Sequence, residues 1–344
     1  MTIFFWAVSK RGGRNSSAAS PTAMGASSGS NGSPLRSLQI RWVRPPHSSS
    51  RPNSTWDGLS AFSIGSFGPL SLNPVAQDYG SITSTPKAGW QDVDLLGHFA
   101  RTIDAPMALD TDVNCAAVGE KLFGSGQGLD TFCYVTVGTG IGVGLLIDGA
   151  PHGGANHPEA GHIRLPRAAG DELFAGICPF HGDCLEGLAC GPAMRARWGV
   201  PAEQLPPDHP GWEIEADYLA GLCATLTYIV RPDRIIIGGG VMESPGMYQR
   251  VRRALNGKLA GYDASMRALE MERLYRRAHG GRIGGTDRRA RARLSDRDTP
   301  VADALVCRTS VIFQSILSLR SCTCIVLPYR ITRLTGWQRR ATLG

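Results

Sequence analysis

The sequence predicts an α/β protein with enough chain for two packed domains and with basic segments at both ends. A length of 344 residues and a hydrophobic content of 42% can fill two cores. Short apolar runs alternate with helical patterns across residues 57–262. The charges divide at the same boundaries. This middle part holds 13 basic and 22 acidic residues, although the whole chain carries a net charge of +7.

The two ends supply the positive charge. Residues 1–56 contain 7 basic and no acidic residues, and residues 263–344 contain 16 basic and 7 acidic residues. The first end is rich in Ser, Gly and Pro without a sustained period, which is typical of a disordered tail. An acidic middle with basic ends does not favour a nucleic-acid partner. The chain also lacks an apolar run of 18 residues, so we expect a soluble cytoplasmic protein with no membrane partner.

Strands and helices alternate along the middle part, with turn residues between them. Apolar runs of four to eight residues predict strands, and longer periodic segments predict helices. The expected order is a strand over residues 61–68, a helix over 92–103, a strand over 106–110, a helix over 114–123, two strands within 131–148, a helix over 217–230, a strand over 234–237 and a helix from 246.

Residues 159–184 hold four possible metal ligands: His162, Cys178, His181 and Cys184. The last three have the spacing C-x2-H-x2-C. Zn²⁺ favours four thiolate and imidazole ligands, and a set that leaves no position for water usually stabilises a loop. We therefore predict a structural zinc site close to the catalytic residues.

The remaining cysteines have a different character. Nine is an odd number, and Cys115, Cys133, Cys190 and Cys223 lie in apolar surroundings. Such cysteines usually remain reduced in the core.

Asp112 lies at a predicted junction between a strand and a helix. One interpretation is a general base, and the other is an ordinary helix N-cap, a position that aspartate favours. The residues alone leave both open.

Two glycine-rich turns could approach a ligand. The first joins the two strands within residues 131–148 and contains Gly138, Thr139 and Gly140, followed by Gly142 and Gly144. It suits a phosphate, although a hairpin also needs glycine at its turn, and the lysine and helix of a Walker loop are missing. The second is Gly238, Gly239 and Gly240, where strand, glycines and helix follow one another as in nucleotide sites. A plain loop is the alternative.

These segments together resemble one family, the ROK sugar kinases, and within it the bacterial zinc-containing fructokinases. The resemblance covers about residues 57–262. It depends on the motifs SFGP (66–69), GSITSTPKAGW (80–90), DTDVNCAAVGE (110–120), VGTGIGVG (137–144), HPEAGH (157–162), CPFHGDCLEGLACGPA (178–193) and IIGGGV (236–241). The histidine within the zinc set, together with TPKAGW, is more similar to fructokinases than to glucokinases.

The resemblance implies a two-lobed actin/hexokinase-like (ribonuclease H-like) fold with a zinc-stapled loop. The lobes would be residues 57–120 and 121–262. They would close over ATP and a hexose, with fructose to fructose 6-phosphate as the leading reaction and with mannose or glucose as alternatives. Mg²⁺ carried by the phosphates, and a homodimer, are also implied.

The resemblance also implies roles for individual residues. Asp112 would accept the proton of the attacking hydroxyl. Positions that surround the sugar would be Asn114, Glu159, His162 and Glu186. ATP would contact residues 138–140 and 238–240, and zinc would stiffen the sugar-binding loop.

The chain departs from the family pattern at both ends. The family's opening phosphate loop, similar to GGIEAGGTKF, is absent from residues 1–56. The codons permitted by residues 5–16, read in a shifted frame, are compatible with LGGIEAGGTKF. We therefore hypothesise that residues from about 5 to 55 are an out-of-frame translation, which would leave the first lobe without its leading strands and with an unpaired sheet edge. A shorter match, DYIVAP over residues 273–278, extends this hypothesis to residues 263–344.

Three classes of function remain open at this point. The first is an ATP-dependent fructokinase or its remnant, the second is a sugar-responsive regulator of the same family, and the third is a zinc- and sugar-binding module without catalysis. Residues 1–55 show no helical pattern for the DNA-binding domain of a regulator. The non-catalytic module stays open, because Asp112 is present but the family's opening phosphate loop is absent from residues 1–56.

Overall fold

The structure is a computed structural model. It describes residues 4–9, 24–25, 41–42, 59–262 and 275–277, and side chains are described from residue 61 to residue 262. The strands are β1 (Phe4–Ser9), β2 (Met24–Gly25), β3 (Arg41–Trp42), β4 (Leu59–Ser66), β5 (Ser81–Ile82), β6 (Val93–Asp94), β7 (Met107–Thr111), β8 (Phe132–Val137), β9 (Ile141–Ile147), β10 (Ala150–Pro151), β11 (Arg234–Gly238) and β12 (Tyr275–Arg277). The α-helices are α1 (Leu95–Ala100), α2 (Asp112–Phe123), α3 (Leu185–Ala189), α4 (Gly191–Trp198), α5 (Gly211–Val230) and α6 (Met247–Leu259).

The first sheet has the order β1-β4-β7. β4 and β7 are parallel, whereas β1 is antiparallel to β4. The core of this part contains Phe62, Ile64, Leu70 and Phe99, each at most 1% exposed. Because β4 and β7 run in the same direction, the turn after β4 and the start of α2 lie at the same edge of the sheet.

The second sheet has the order β10-β9-β8-β11-β12. β8 pairs antiparallel with β9 and parallel with β11, so the carboxyl ends of β8 and β11 also share an edge. The long helix α5 supplies the largest share of the core beneath this sheet, and Tyr218 is its largest fully buried side chain. The α/β prediction is confirmed.

Helix α2 connects the two sheets. It follows β7 of the first sheet, but Ala117 packs with Phe132, Leu146 and Ile236 of the second. A Cβ on Gly144 of β9 would lie 2.3 Å from the carbonyl oxygen of Val113, so the glycine lets the first turn of α2 approach the strand. The helix thereby places Asp112 at the junction of the two sheets.

The observed helix α1 is shorter than the sequence predicts. Val93 and Asp94 pair with β5 as a strand, and α1 starts only at Leu95. The Asp94 side chain accepts a hydrogen bond from the Gly97 amide at 2.7 Å, which fixes this start. Strand pairing with a distant segment therefore overrides the helical pattern of residues 92–94.

The other predicted elements agree with the structure apart from their ends. α2 begins at Asp112 rather than at residue 114 because Thr111 caps it through the Asn114 amide at 3.1 Å. α5 begins at Gly211, six residues before the predicted start at residue 217. Cys133, Cys190 and Cys223 are buried free thiols as predicted, and Cys115 is half-buried. Burial raises the pKa of both Cys133 and Cys190 to about 12, so these thiols are unreactive at neutral pH.

The described parts of the two ends contribute strands. β1 pairs with β4 along its length. The expectation of an unpaired edge at β4 is therefore wrong. β12 extends the second sheet by pairing with β11, and it falls within the segment 263–344 that the sequence sets apart. Most of residues 1–56 and 263–344, including the proposed shifted-frame matches at 10–16, 273–274 and 278, lies outside the described residues.

Within the described ranges, no helix has the length and apolar character needed to cross a membrane.

Candidate active site

The candidate site is built around Asp112, the first residue of α2. Its Oδ1 accepts a hydrogen bond from the Val113 amide at 2.9 Å, and within residues 61–262 no side chain bonds to Oδ2. Burial raises the pKa of Asp112, and the positive charge of Lys87 opposes that rise. A desolvated carboxylate with a nearby cation is a suitable general base, because it stays ionised while keeping affinity for a proton.

Lys87 is the cation of this site. It lies in the turn after β5, and its Nζ is 3.4 Å from the centroid of the Phe67 ring. Burial lowers the pKa of Lys87, whereas the charges of Asp112, Glu186 and Glu159 raise it. One lysine thus interacts electrostatically with three carboxylates.

Glu159 comes from the loop before the zinc ligands. Desolvation, followed by the charges of Glu186 and Asp112, raises the pKa of Glu159 to about 7, and Lys87 opposes this rise. The side chain is still 44% exposed, so one side of the carboxyl group faces solvent. Near neutral pH it can both donate and accept hydrogen bonds, which suits a ligand with hydroxyl groups.

Glu186, in the first turn of α3, is fixed to the start of β9. Its Oε2 accepts a hydrogen bond from the Ile141 amide at 2.9 Å. A Cβ on Gly140 would lie 2.6 Å from the same oxygen, so the glycine makes room for the carboxylate. The first glycine turn therefore contacts a predicted sugar-binding residue as well as lying beside the second glycine turn.

Asn114 is buried two residues beyond Asp112. Its Nδ2 donates to Asp110 Oδ1 at 2.8 Å. Its Oδ1 is buried and has no hydrogen-bond partner in the described part of the chain. This arrangement orients Asp110 in the strand and leaves one acceptor of Asn114 unsatisfied.

The four predicted metal ligands lie together. The potential ligand atoms of His162, Cys178, His181 and Cys184 are all within 4.8 Å of one another. Nδ1 of His162 lies 3.4 Å from Sγ of Cys184 and 3.9 Å from Sγ of Cys178, which lies 3.6 Å from Nδ1 of His181. Zn–S bonds of about 2.3 Å and Zn–N bonds of about 2.0 Å in a tetrahedron give nitrogen–sulfur separations of about 3.6 Å. The donor set therefore fits zinc in both chemistry and spacing.

The loop that carries these ligands is anchored on both sides. Asp183 forms ion pairs with Arg164 at 2.8 Å and with Arg167 at 3.4 Å. The Leu185 amide donates to the Ile163 carbonyl at 2.9 Å, which joins α3 to the segment after His162. The loop that carries the metal ligands is therefore joined to α3, which carries Glu186.

The two glycine turns are neighbours at the edge of the second sheet. Gly238 pairs with Thr136 across β11 and β8. Gly239 has a φ of 99°, and a Cβ there would lie 2.2 Å from the Val137 carbonyl oxygen. Around Gly138 and Gly240 a Cβ would meet no atom within 4 Å. Backbone is therefore accessible on both turns, as a nucleotide phosphate requires.

The structure thus brings the predicted residues into two adjacent groups. In the first group, Lys87 interacts electrostatically with Asp112, Glu159 and Glu186. The second group consists of the turns 138–140 and 238–240, which lie at the same edge of the second sheet. Sequence reasoning missed Lys87 as a site residue, although the motif TPKAGW contains it. The signal available was an isolated lysine in a turn of an otherwise acidic lobe.

These features define a class of protein. It is a two-lobed α/β protein with a cluster of carboxylates, a strand edge lined by glycines and a loop that carries four possible metal ligands. The chain belongs to the ROK family, whose profile matches residues 50–285. The resemblance seen in the motifs is therefore confirmed, and the match extends beyond residue 262 into the C-terminal segment.

Similar proteins of known name support this assignment. A putative fructokinase of Bacillus subtilis (strain 168) is 45% identical over 205 residues, which cover 58% of this chain and 68% of the relative. A fructokinase of Lactococcus lactis subsp. cremoris is 43% identical over 204 residues, with 59% and 69% covered. The chain thus spans about two thirds of the length of these relatives.

The fold is also similar to that of a solved structure. The ROK hexokinase from Thermus thermophilus superposes with a TM-score of 0.51 at 28% identity, covering 64% of this chain and 73% of the hexokinase. The two-lobed sugar-kinase fold predicted from the motifs is confirmed by this likeness.

Proposed function

We propose that this protein transfers the γ-phosphoryl group of ATP to a hexose, with fructose as the substrate and fructose 6-phosphate as the product. The observation that carries the proposal is the cluster of Asp112, Glu159 and Glu186 around Lys87, adjacent to the glycine-lined edge of the second sheet. The fructokinases among the relatives, at 43% and 45% identity, support the choice of sugar.

In this proposal Asp112 is the general base. Its Oδ1 is held by the Val113 amide, which leaves Oδ2 to accept the proton of the sugar hydroxyl. The hydroxyl oxygen forms a bond to the γ-phosphorus while the bond between that phosphorus and the oxygen of ADP breaks. Lys87 keeps the carboxylate ionised before the proton arrives, because its charge opposes the effect of burial.

Glu159 and Glu186 bind the other hydroxyl groups of the sugar. Paired carboxylates are suited to neighbouring hydroxyls, since each oxygen can accept a hydrogen bond. Asn114 supports the site from beneath, and its unsatisfied Oδ1 is available to a donor that reaches it. His162 links the sugar-binding residues to the metal loop, in which zinc would be held by His162, Cys178, His181 and Cys184. A bound zinc ion would fix the loop geometry without taking part in the reaction.

Residues 138–140 and 238–240 receive ATP in this proposal. The Gly138 amide already donates to the Gly140 carbonyl at 2.9 Å, so other amides of these two turns would donate to the phosphate oxygens. A Mg²⁺ ion bound to the phosphates would neutralise charge on the transferred group. We infer no direct protein ligand for that ion.

A hexose panel tests the proposed function. ATP consumption is followed in a coupled assay with fructose, glucose and mannose, each over a range of concentrations. We expect kcat/KM for fructose to exceed the values for the other two sugars by about tenfold or more, because a misplaced hydroxyl leaves a buried polar group unpaired. A preference for glucose would contradict fructose as the substrate, and no turnover with any hexose would contradict a sugar kinase.

Removing the charge of Lys87 should change the pH profile. We expect Lys87→Met to raise the pKa of Asp112 further, because the charge that opposes the effect of burial is lost, so the acidic limb of kcat/KM against pH moves to higher pH. Activity then falls more at pH 6.5 than at pH 8.5. The measurement is kcat/KM for fructose between about pH 5.5 and 9.

Two variants serve as controls for this shift. Lys87→Arg keeps the charge and should keep the limb near its original pH. Lys258→Met removes a lysine of α6 that pairs with Asp217 of α5 at 2.8 Å. This variant tests the effect of net charge alone. A Lys87→Met profile that superimposes on the wild-type profile would show that Lys87 does not influence the base.

The division of the chain forms part of the proposal. Residues 57–120 and 121–262 would be the two kinase lobes, between the basic segments 1–56 and 263–344. Residues from about 5 to 55 and from 273 onward would be out of frame with the family, although the family profile matches as far as residue 285. Tandem mass spectra of peptides from residues 10–50, obtained from the natural host, would contradict the frame hypothesis. A homodimer, expected from the resemblance, and a cytoplasmic location, expected from the lack of a long apolar run, remain predictions.

A further inference from the structure

His157 is a buried histidine that the proposed reaction does not use. It is 8% exposed and begins the motif HPEAGH, two residues before Glu159. The main-chain amide of Leu70 donates a hydrogen bond to its Nε2 at 2.9 Å. Leu70 belongs to the first lobe, 87 residues earlier in the chain, so this bond joins the two lobes.

The bond also determines which nitrogen of His157 carries the proton. Nε2 accepts from an amide, so in the neutral ring the hydrogen lies on Nδ1. Nδ1 is 3.5 Å from Oε1 of Glu159 and 3.4 Å from the Pro158 carbonyl oxygen. Burial lowers the pKa of His157, which favours the neutral ring at pH 7. The acceptor of the imidazole therefore faces the first lobe, and its donor bonds to the Pro158 carbonyl beside the Glu159 carboxylate, whose Oε1 lies 3.5 Å away.

Gly68 provides a second contact between the same groups. A Cβ at this position would lie 2.8 Å from Cε1 of His157 and 3.1 Å from Oε1 of Glu159. The turn that contains Gly68 is itself held to the first lobe, because the Thr83 amide donates to the Pro69 carbonyl at 2.8 Å. The imidazole and the carboxylate thus pack directly on a fixed turn that has no room for a side chain.

We propose that His157 is a positioning residue that fixes the Glu159 carboxylate against the turn at Gly68. It thereby keeps the sugar-binding carboxylates of the second lobe at a constant position relative to Asp112. This role rests on the proposed function, since it assumes that Glu159 binds the sugar. A carboxylate displaced by a fraction of an ångström weakens hydrogen bonds to hydroxyl groups, whereas the glycine-lined edge that receives ATP makes no contact with His157 in the described structure.

The experiment compares substitutions that separate the two bonds of the ring. His157→Phe keeps the volume and removes both bonds. His157→Gln keeps an acceptor near the position of Nε2 and can still bind the Leu70 amide. Gly68→Ala leaves His157 intact, but the added Cβ would press against the His157 ring and the Glu159 carboxylate from the turn of the first lobe. His152→Phe, at an exposed position of the same loop, is the matched control.

The measurements are the Kd for fructose by calorimetry, KM for fructose and for ATP, kcat, and the thermal midpoint of each full-length, zinc-loaded variant. We expect His157→Phe and Gly68→Ala to raise the fructose Kd and KM by about 10- to 100-fold while KM for ATP changes by less than about twofold. His157→Gln should recover only part of the fructose affinity, because it keeps the bond to the Leu70 amide but lacks a donor at the position of Nδ1 beside Glu159. His152→Phe should match the wild type.

Two results would overturn the proposal. One is an unchanged fructose Kd in His157→Phe; the other is an equal loss of fructose and ATP affinity that follows the thermal midpoint, which indicates a structural role only. A wild-type chain that binds no hexose would overturn the proposed function and this role together. The wild-type titration distinguishes that failure from the other two.

Discussion

Asp112→Asn should lower kcat by about 10²- to 10⁴-fold while leaving fructose binding nearly unchanged. The amide has the shape of the carboxylate and can still accept a hydrogen bond from the Val113 amide, but it cannot take a proton from the sugar hydroxyl. The measurement is kcat in the coupled assay together with the fructose Kd by calorimetry on the same preparation.

Asp130→Asn is the control for this substitution. Asp130 pairs with Lys121 at 2.8 Å, and its side chain is 79% exposed, so the loss of its charge should have little effect on the reaction or on stability. If Asp112→Asn keeps the wild-type kcat, Asp112 is a helix-terminal residue rather than the base. That outcome would favour the second interpretation left open by the sequence.

Cys184→Ser should abolish zinc binding and destabilise the protein. We expect metal analysis to find about one zinc ion per wild-type chain, as a closed set of four ligands binds one ion, and almost none in the variant. Binding at a thousandfold excess over Kd stabilises a folded protein by about 4 kcal/mol. For about 200 ordered residues this corresponds to a decrease in the thermal midpoint of roughly 10 °C on loss of the metal.

The fructose KM should rise in the same variant, because Glu186 lies two residues from Cys184 and the loop that holds both loses its staple. Cys223→Ser makes the same exchange at a buried cysteine of α5 and should keep its zinc. Zinc content equal to the wild type in Cys184→Ser would refute the proposed ligand set. A zinc-free wild-type chain with an unchanged midpoint would refute its structural role.

Much of this architecture could be predicted from local sequence. The apolar run of β4 and the paired runs of β8 and β9 have strand patterns that tertiary contacts only reinforce. α1 shows where such patterns fail. Asp94 caps the helix through the Gly97 amide, which is a local contact, but it also pairs with β5. The pairing depends on the position of a segment that the local pattern does not contain.

The candidate site divides in the same way. The zinc ligands follow from their spacing, since Cys178, His181 and Cys184 lie within seven consecutive positions and can converge only in a tight loop. The roles of Lys87 and His157 could not be predicted, because each depends on residues far away in the chain. Lys87 interacts with three carboxylates of other segments, and His157 accepts a hydrogen bond from Leu70.

The most direct test of the account is fructose-dependent ADP formation by the full 344-residue chain. Purified protein is incubated with Mg²⁺-ATP with and without fructose, and ADP and sugar phosphate are quantified in the same samples. The account predicts equal amounts of ADP and fructose 6-phosphate, formed only when fructose is present and lost in Asp112→Asn. ADP formation that is independent of fructose, or that persists in Asp112→Asn, would contradict it.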